Sequence, residues 1–552
     1  MKKVTNVLKN RFGFDRLTAV ISGLFAFLLS LSYVLGYQLE KYNMTLPGFS
    51  GKGKIFLFSL LLTIPFSLIT YILFSFLKKT FTVKKCRFGS GKIFLFSFAF
   101  IMMCRIPVLL AYYPAVMSYD FGRQLSEAMN GHVWFWDYQP LIHTELIRIF
   151  YLIGVKLGSI ETGMALLSIL QITVVSAIMA YTVSLIGRVS GRIWLCVLFC
   201  LIYALLPLNE LISVIMTKDV FFAGFFVLFI CLIYERTLKK SLLLDFGMLV
   251  VAILNIMFRK NSVYAMIFLV IAYLIYDKKI SQKIMSSALI IICVISGIFC
   301  HKAMVEGFDV IRGNNTEMYS VPMMQFMRTY TNQKDNLTPE QIEMLNKVLP
   351  LEASGIGYDP YCADCVKNYS GMRSEIWAGS PKAFAHEWVT LFKAYPNEFI
   401  DAFLFLNKGY WYLPDRVFAE VFGVGAENGK GLLHTYNHTY EVFEGGIKDT
   451  CYFPPLRKFY EYFINENGFF NWPVLNLLFR PAFYFWLLIL SVAAAMIRKN
   501  RLGLILLTYP LLYTGTLFFG PLVYIRYMYP QILAVPVILV LILFTPRREN
   551  IK

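Results

Sequence analysis

The sequence predicts an all-α polytopic membrane protein with about 12 transmembrane helices and a mainly α soluble domain on the outer face. Three observations carry this. Of the 552 residues, 57% are hydrophobic and only 16% are charged, against roughly 25% charged in a soluble domain. Apolar windows of about 20 residues, long enough to cross a bilayer, recur along the chain. Lys and Arg collect in alternate connections between those windows, as membrane topology demands. The net charge of +18 is therefore read as topological bias, and no nucleic-acid partner is expected.

In order, the windows are 17–37, 55–77, 93–112, 161–187, 193–211, 219–235, 242–258, 263–276, 284–304, 474–497, 502–519 and 529–545. The first follows MKKVTNVLKNRFGFDR and lacks a small-residue cleavage site, so it reads as a signal anchor. With the N-terminus placed in the cytoplasm, the connections at 78–92, 188–192, 235–240, 277–283 and 498–501 and the tail after Thr545 are all Lys/Arg-rich. Across the membrane, the short loops hold few basic residues: Arg123, Lys218, Arg259 with Lys260, and Arg526. Both termini are then cytoplasmic.

Four regions follow. Residues 1–92 hold two transmembrane helices and a basic loop. Residues 93–304 form a transmembrane core with a first outer loop at 113–160. Residues 305–473 form an extracytoplasmic domain, and 474–552 hold three last transmembrane helices and a basic tail. Within the first outer loop, PLIHTELIRIFYLIGVKLGS is apolar but carries His143, Glu145, Arg148 and Lys156. It reads as an amphipathic helix in the interface. In the larger region, NLTPEQIEML offers Thr338 as N-cap, Pro339 at the first helical position and Gln341 three residues after the cap, a helix-start signature.

The ten cysteines do not form a disulfide framework. Six lie in or beside apolar windows, where a thiol behaves as a small hydrophobe. Cys362 and Cys365 form a lone CxxC, too few ligands for a zinc site. With Cys451 they leave a disulfide open if that region faces an oxidising compartment.

Ionisable groups near membrane depth cost on the order of 3 kcal/mol even on mild scales, so they point to function. They gather at the predicted outer face: Asp120 with Arg123 and Gln124, then Gln139 and His143, Lys218 with Asp219, Arg259 with Asn261, and Arg526. One carboxylate among several cations suits an anionic lipid headgroup. Arg and Lys clamp phosphate oxygens, and a carboxylate can accept a proton from a hydroxyl. Structural readings stand beside this one. Lys218, Asp219, Arg259 and Arg526 also suit interfacial anchors, His143 a satisfied interfacial histidine, and Asp120 a loop-helix cap.

The ordered segments YP..MSYDFGRQ, YQPLIHT, TKDVFFAGF, FRKNSVY and RYMYP resemble a family of uncharacterised bacterial multispanning membrane proteins (DUF6020-like) related to the GT-C glycosyltransferases, such as the protein O-mannosyltransferases. The resemblance spans roughly 93–545. It implies a GT-C-like fold in a bacterial plasma membrane. It also implies a sugar donor on a polyprenyl phosphate, an unknown acceptor on the outer face, and surrounding membrane lipids. By that resemblance Asp120 is the catalytic carboxylate. Arg123, Gln124, Gln139, His143, Lys218, Asp219, Arg259, Asn261 and Arg526 would bind substrate. Two departures are Ala115 in place of a glycine and Gln139 in place of a histidine; a glutamine keeps hydrogen bonding but not proton transfer. No metal and no cofactor are expected, although Glu127, Asp137 and Asp219 are the carboxylates nearest to a metal role. The competing class is a lipid-linked sugar flippase or transporter, or a related polysaccharide polymerase or ligase. Transporters place polar groups near the midplane on repeated halves, and neither feature is evident.

Overall fold

A computed structural model describes residues 15–45, 48–79, 81, 86, 88–117, 119–131, 137–277, 279–311, 316–356, 358–370, 381–415, 447, 448, 450–464, 472 and 474–545. The architecture is α-helical, with one addition that the sequence reading lacks. Val116–Met117 and Ile215–Met216 pair as a two-residue parallel ribbon, Val116 opposite Ile215 and Met117 opposite Met216.

Among the described residues, seven helices are long and apolar enough to cross a membrane: Arg16–Tyr42, Gly53–Leu77, Ser90–Ala111, Ile160–Ser190, Lys218–Leu238, Ile280–Gly307 and Ile525–Phe544. The protein is thus a helical membrane protein. Side-chain caps start several of these helices. Asp15 accepts from Thr18 N–H, Ser159 from Thr162 N–H and Thr217 from Asp219 N–H, each meeting one of the donors that a helix start leaves open. The capping box at Thr338 and Gln341 forms as the sequence predicts.

The 12 expected windows are not matched by 12 full-length helices. Leu242–Phe258, Pro481–Ile497 and Arg501–Leu517 have 17 residues and Ser262–Tyr276 has 15. At 1.5 Å per residue they span about 22–26 Å, short of the ~30 Å hydrocarbon core. The expected single span over 193–211 is a bent pair, Ile193–Leu205 and Pro207–Val214, set at 51°. Pro207 has no N–H to continue the first helix. Buried side chains meet the groups released near the break. Asn209 donates to the Ile202 carbonyl at 2.9 Å. Gln171 donates to the carbonyls of Ser213 at 2.9 Å and Ile215 at 3.0 Å. Within a bilayer's hydrocarbon region, such carbonyls need a protein partner.

The largest core joins the Ser90–Ala111, Ile160–Ser190, Lys218–Leu238, Leu242–Phe258, Ser262–Tyr276, Arg501–Leu517 and Ile525–Phe544 helices. A second core, around Met323, Met327, Leu345, Leu391 and Phe399, belongs to the helices between 320 and 406. The first helix is fastened to that region by ions. The buried Lys408 ammonium lies 3.1 Å from Glu40 and 3.0 Å from Asp415.

Candidate functional site

The parallel ribbon sets the geometry. It lays the segment before Asp120 beside the segment before Lys218, so two helices begin next to each other: Tyr119–Met129 and Lys218–Leu238. Asp120 and Lys218 then face one another, Nζ to Oδ2 at 3.4 Å. Arg526, in the first turn of the Ile525–Phe544 helix, reaches the same oxygen at 3.0 Å. Gln139 completes the shell. Its Nε2 donates to Asp120 Oδ1 at 3.2 Å, and its Oε1 accepts from Lys218 Nζ. Gln139 thus donates and accepts at once, with no proton to exchange.

A second carboxylate lies behind the first. Asp219 is 1% exposed and pairs with Arg259, which follows the Leu242–Phe258 helix. Arg526 Nε lies 3.8 Å from Asp219, so this guanidinium bridges both carboxylates. Aromatic faces hold the cations: Tyr527 lies 4.5 Å from Arg259 and 5.1 Å from Arg526, and Tyr524 lies 4.9 Å from Arg526. Tyr513 and Phe222 flank Arg259 at 5.7 and 5.8 Å. Such rings stabilise a cation and fix its plane.

Three cations against two carboxylates leave one surplus positive charge. The first turns of three helices also converge here, and helix N-termini favour anions. Asp219 is sealed, whereas Asp120, Lys218 and Arg526 keep 15–20% of their side-chain surface exposed. The open edge is therefore the Asp120–Lys218–Arg526 edge. Burial alone would raise the Asp120 pKa, but the charges of Lys218 and Arg526 hold it well below the usual carboxylate range. Asp120 is an anion at neutral pH and, in this arrangement, a weak base.

The other expected site residues are placed differently. His143 and Gln124 are fully buried and bond each other, Nδ1 to Oε1 at 2.9 Å. Gln124 Nε2 in turn donates to Thr144 at 2.9 Å. Burial, and then the nearby Lys218 charge, push His143 down to about 3. His143 is thus a neutral brace between the Tyr119–Met129 and Leu141–Lys156 helices. Arg123 points away, half exposed, to Glu127 at 3.2 Å. Asn261 lies two residues beyond Arg259 at the start of the Ser262–Tyr276 helix and makes none of the bonds of this network.

Two features escaped the sequence reading. Tyr513 sits inside the 502–519 apolar window, where no local pattern ties its ring to Arg259. The Asp137 carboxylate takes Lys260 at 2.6 Å and His301 at 3.1 Å. These bonds pin the turn that presents Gln139. His301 lies 164 residues from Asp137, and no local pattern joins them. Among the described residues, no three His, Cys, Asp or Glu side chains gather as a metal site.

A bundle of apolar helices carrying one ion cluster at its helix ends defines a helical membrane protein. The chain belongs to DUF6020, a family of unknown function, whose profile matches residues 133–552. That match begins later than the roughly 93–545 expected. It includes Gln139, His143, Lys218, Asp219, Arg259, Asn261 and Arg526 and leaves Asp120, Arg123 and Gln124 ahead of it. No curated protein and no solved structure matches the chain.

Proposed function

We propose that the protein is a GT-C-type glycosyltransferase of the bacterial plasma membrane, with 12 crossings, cytoplasmic termini and the ion cluster at the outer face. It would transfer a sugar from a polyprenyl phosphate to an acceptor hydroxyl. The observation that supports this reading is the Asp120 carboxylate held by Lys218 and Arg526 in a cluster with a surplus positive charge.

In the transfer, the acceptor oxygen attacks the anomeric carbon and the bond from that carbon to the phosphate oxygen breaks. The lipid phosphate leaves with the electron pair, and the hydroxyl proton passes to Asp120. Lys218 and Arg526 stabilise the leaving phosphate, where charge develops. Their transfer from Asp120 to phosphate frees the carboxylate, so its basicity rises when the donor is seated. Asp219, sealed behind and paired with Arg259, keeps Arg526 in place.

The test compares wild type and Asp120→Asn, both shown to fold equally, on a panel of polyprenyl-phosphate sugars. Turnover of one donor by wild type, with Asp120→Asn slower by about 10²-fold or more, supports the reading. Equal turnover makes Asp120 structural. Binding of polyprenyl phosphate without turnover of any donor by either protein favours a flippase.

A further inference from the structure

Cys362 and Cys365 stand at the start of the Ala363–Ser370 helix, both half-buried and both free thiols. The backbone N–H of Cys365 donates to Cys362 Sγ at 3.2 Å. The Cys362 side chain is therefore folded over the first helical turn, on the side where Cys365 begins. The same turn is bonded to a distant segment. Cys362 forms an antiparallel bridge with Leu522, and Ala363 N–H donates to the Pro521 carbonyl at 2.8 Å. Leu522 lies four residues before Arg526, and between them Tyr524 supports the Arg526 guanidinium.

We propose that Cys362 and Cys365 form a reversible thiol–disulfide site for a disulfide-bearing oxidant, and that its redox state is passed to the Pro521–Arg526 segment. One cysteine thiolate attacks the oxidant's disulfide and expels one of its sulfurs as a thiolate. The second cysteine thiolate attacks the mixed disulfide, closing the Cys362–Cys365 bond and releasing the other sulfur. Two thiols lose two protons and two electrons, and the oxidant's disulfide gains them as two thiols. A side-chain hydrogen bond between the two sulfurs, with Cys362 keeping the proton, holds the Cys365 thiol low, which favours the thiolate that exchange requires.

The spacing favours reversibility. A ring closed across two intervening residues removes little chain entropy from the unfolded state, so the bond gains little from loop closure. Closing it draws Cys362 Sγ onto Cys365 Sγ at the turn whose backbone is bonded to Leu522 and Pro521. Arg526 lies at the far end of that segment. The inference rests on the ion-pair geometry of Arg526 and not on the transfer chemistry.

The test uses the full chain purified in detergent. One portion is incubated with oxidised glutathione and another with a phosphine reductant. Each is quenched, alkylated and digested. After oxidant, the peptide holding both cysteines is expected to carry no alkyl group and to weigh two hydrogens less, while reductant restores two alkyl groups. Amide hydrogen exchange over 519–527 is expected to differ by about threefold or more between the two states. In Cys362→Ser/Cys365→Ser, the two treatments are expected to give the same exchange. Two alkylated cysteines after oxidant, or glutathione retained on one of them, overturn the site. A closed disulfide with unchanged exchange over 519–527 overturns the link to Arg526.

Discussion

Replacing Arg259 by Met tests the sealed half of the ion cluster without any assay of activity. Arg259 is the main partner of Asp219, which is 1% exposed. Breaking a buried pair by removing one partner costs about 3–5 kcal/mol. Loss of the Tyr527, Tyr513 and Phe222 faces around the guanidinium adds about 1 kcal/mol. Arg526 at 3.8 Å from Asp219 offsets part of this, so the net loss is about 4 kcal/mol. At about 2.1 cal/mol/K of unfolding entropy per residue, such a loss in a chain of this length lowers the melting temperature by about 3–4 °C. The assay is thermal melting in detergent, followed by the amount of monodisperse protein. Arg259→Met/Asp219→Asn should recover more than half of the loss, because the orphaned charge is gone. An Arg259→Met protein melting within about 1 °C of wild type would refute the sealed-pair argument.

Three further outcomes follow from the same geometry. Asp120 has a folded pKa below its unfolded value, so its ion-pair stability is present above about pH 4 and is lost as pH falls through the folded pKa; the melting difference between wild type and Asp120→Asn should be flat from pH 5 to 8 and narrow below pH 4. His143 is a base pushed down to about 3, so below about pH 6.5 the unfolded chain takes a proton that the folded chain refuses. Stability should fall with pH by up to about 1.4 kcal/mol per unit over that range, and His143→Gln should remove that slope in melts from pH 7 to 5. Gln171→Leu strips the Ser213 and Ile215 carbonyls of their donor, at about 1–3 kcal/mol each, and should lower the melting temperature by several degrees.

Much of the helical scaffold was legible because burial in lipid needs long apolar runs, and these stand out in any window. The cap at Thr338 was legible for a local reason: its chemistry is complete within four residues. The bend at Pro207 was not separated from a straight span, because 193–211 is apolar on both sides of the proline. The ion cluster was legible in part. Asp120, Lys218, Asp219, Arg259 and Arg526 are charges at the ends of apolar runs, which is costly and therefore visible. Their pairing was not legible, since it depends on a two-residue ribbon joining positions 99 residues apart in sequence. His143 looked like a ligand for the same reason that the cluster did: it is polar and close by. Only its burial against Gln124 separates brace from contact.

Lys408 and Glu40 tie the opening helix to the part of the chain that the family match covers. An ammonium with none of its surface exposed depends on both of its carboxylates, and Glu40 comes from a helix that lies outside the 133–552 match. Without Glu40 the ammonium would keep Asp415 as its carboxylate, so the opening helix turns a single buried pair into a site where one cation joins two chain segments.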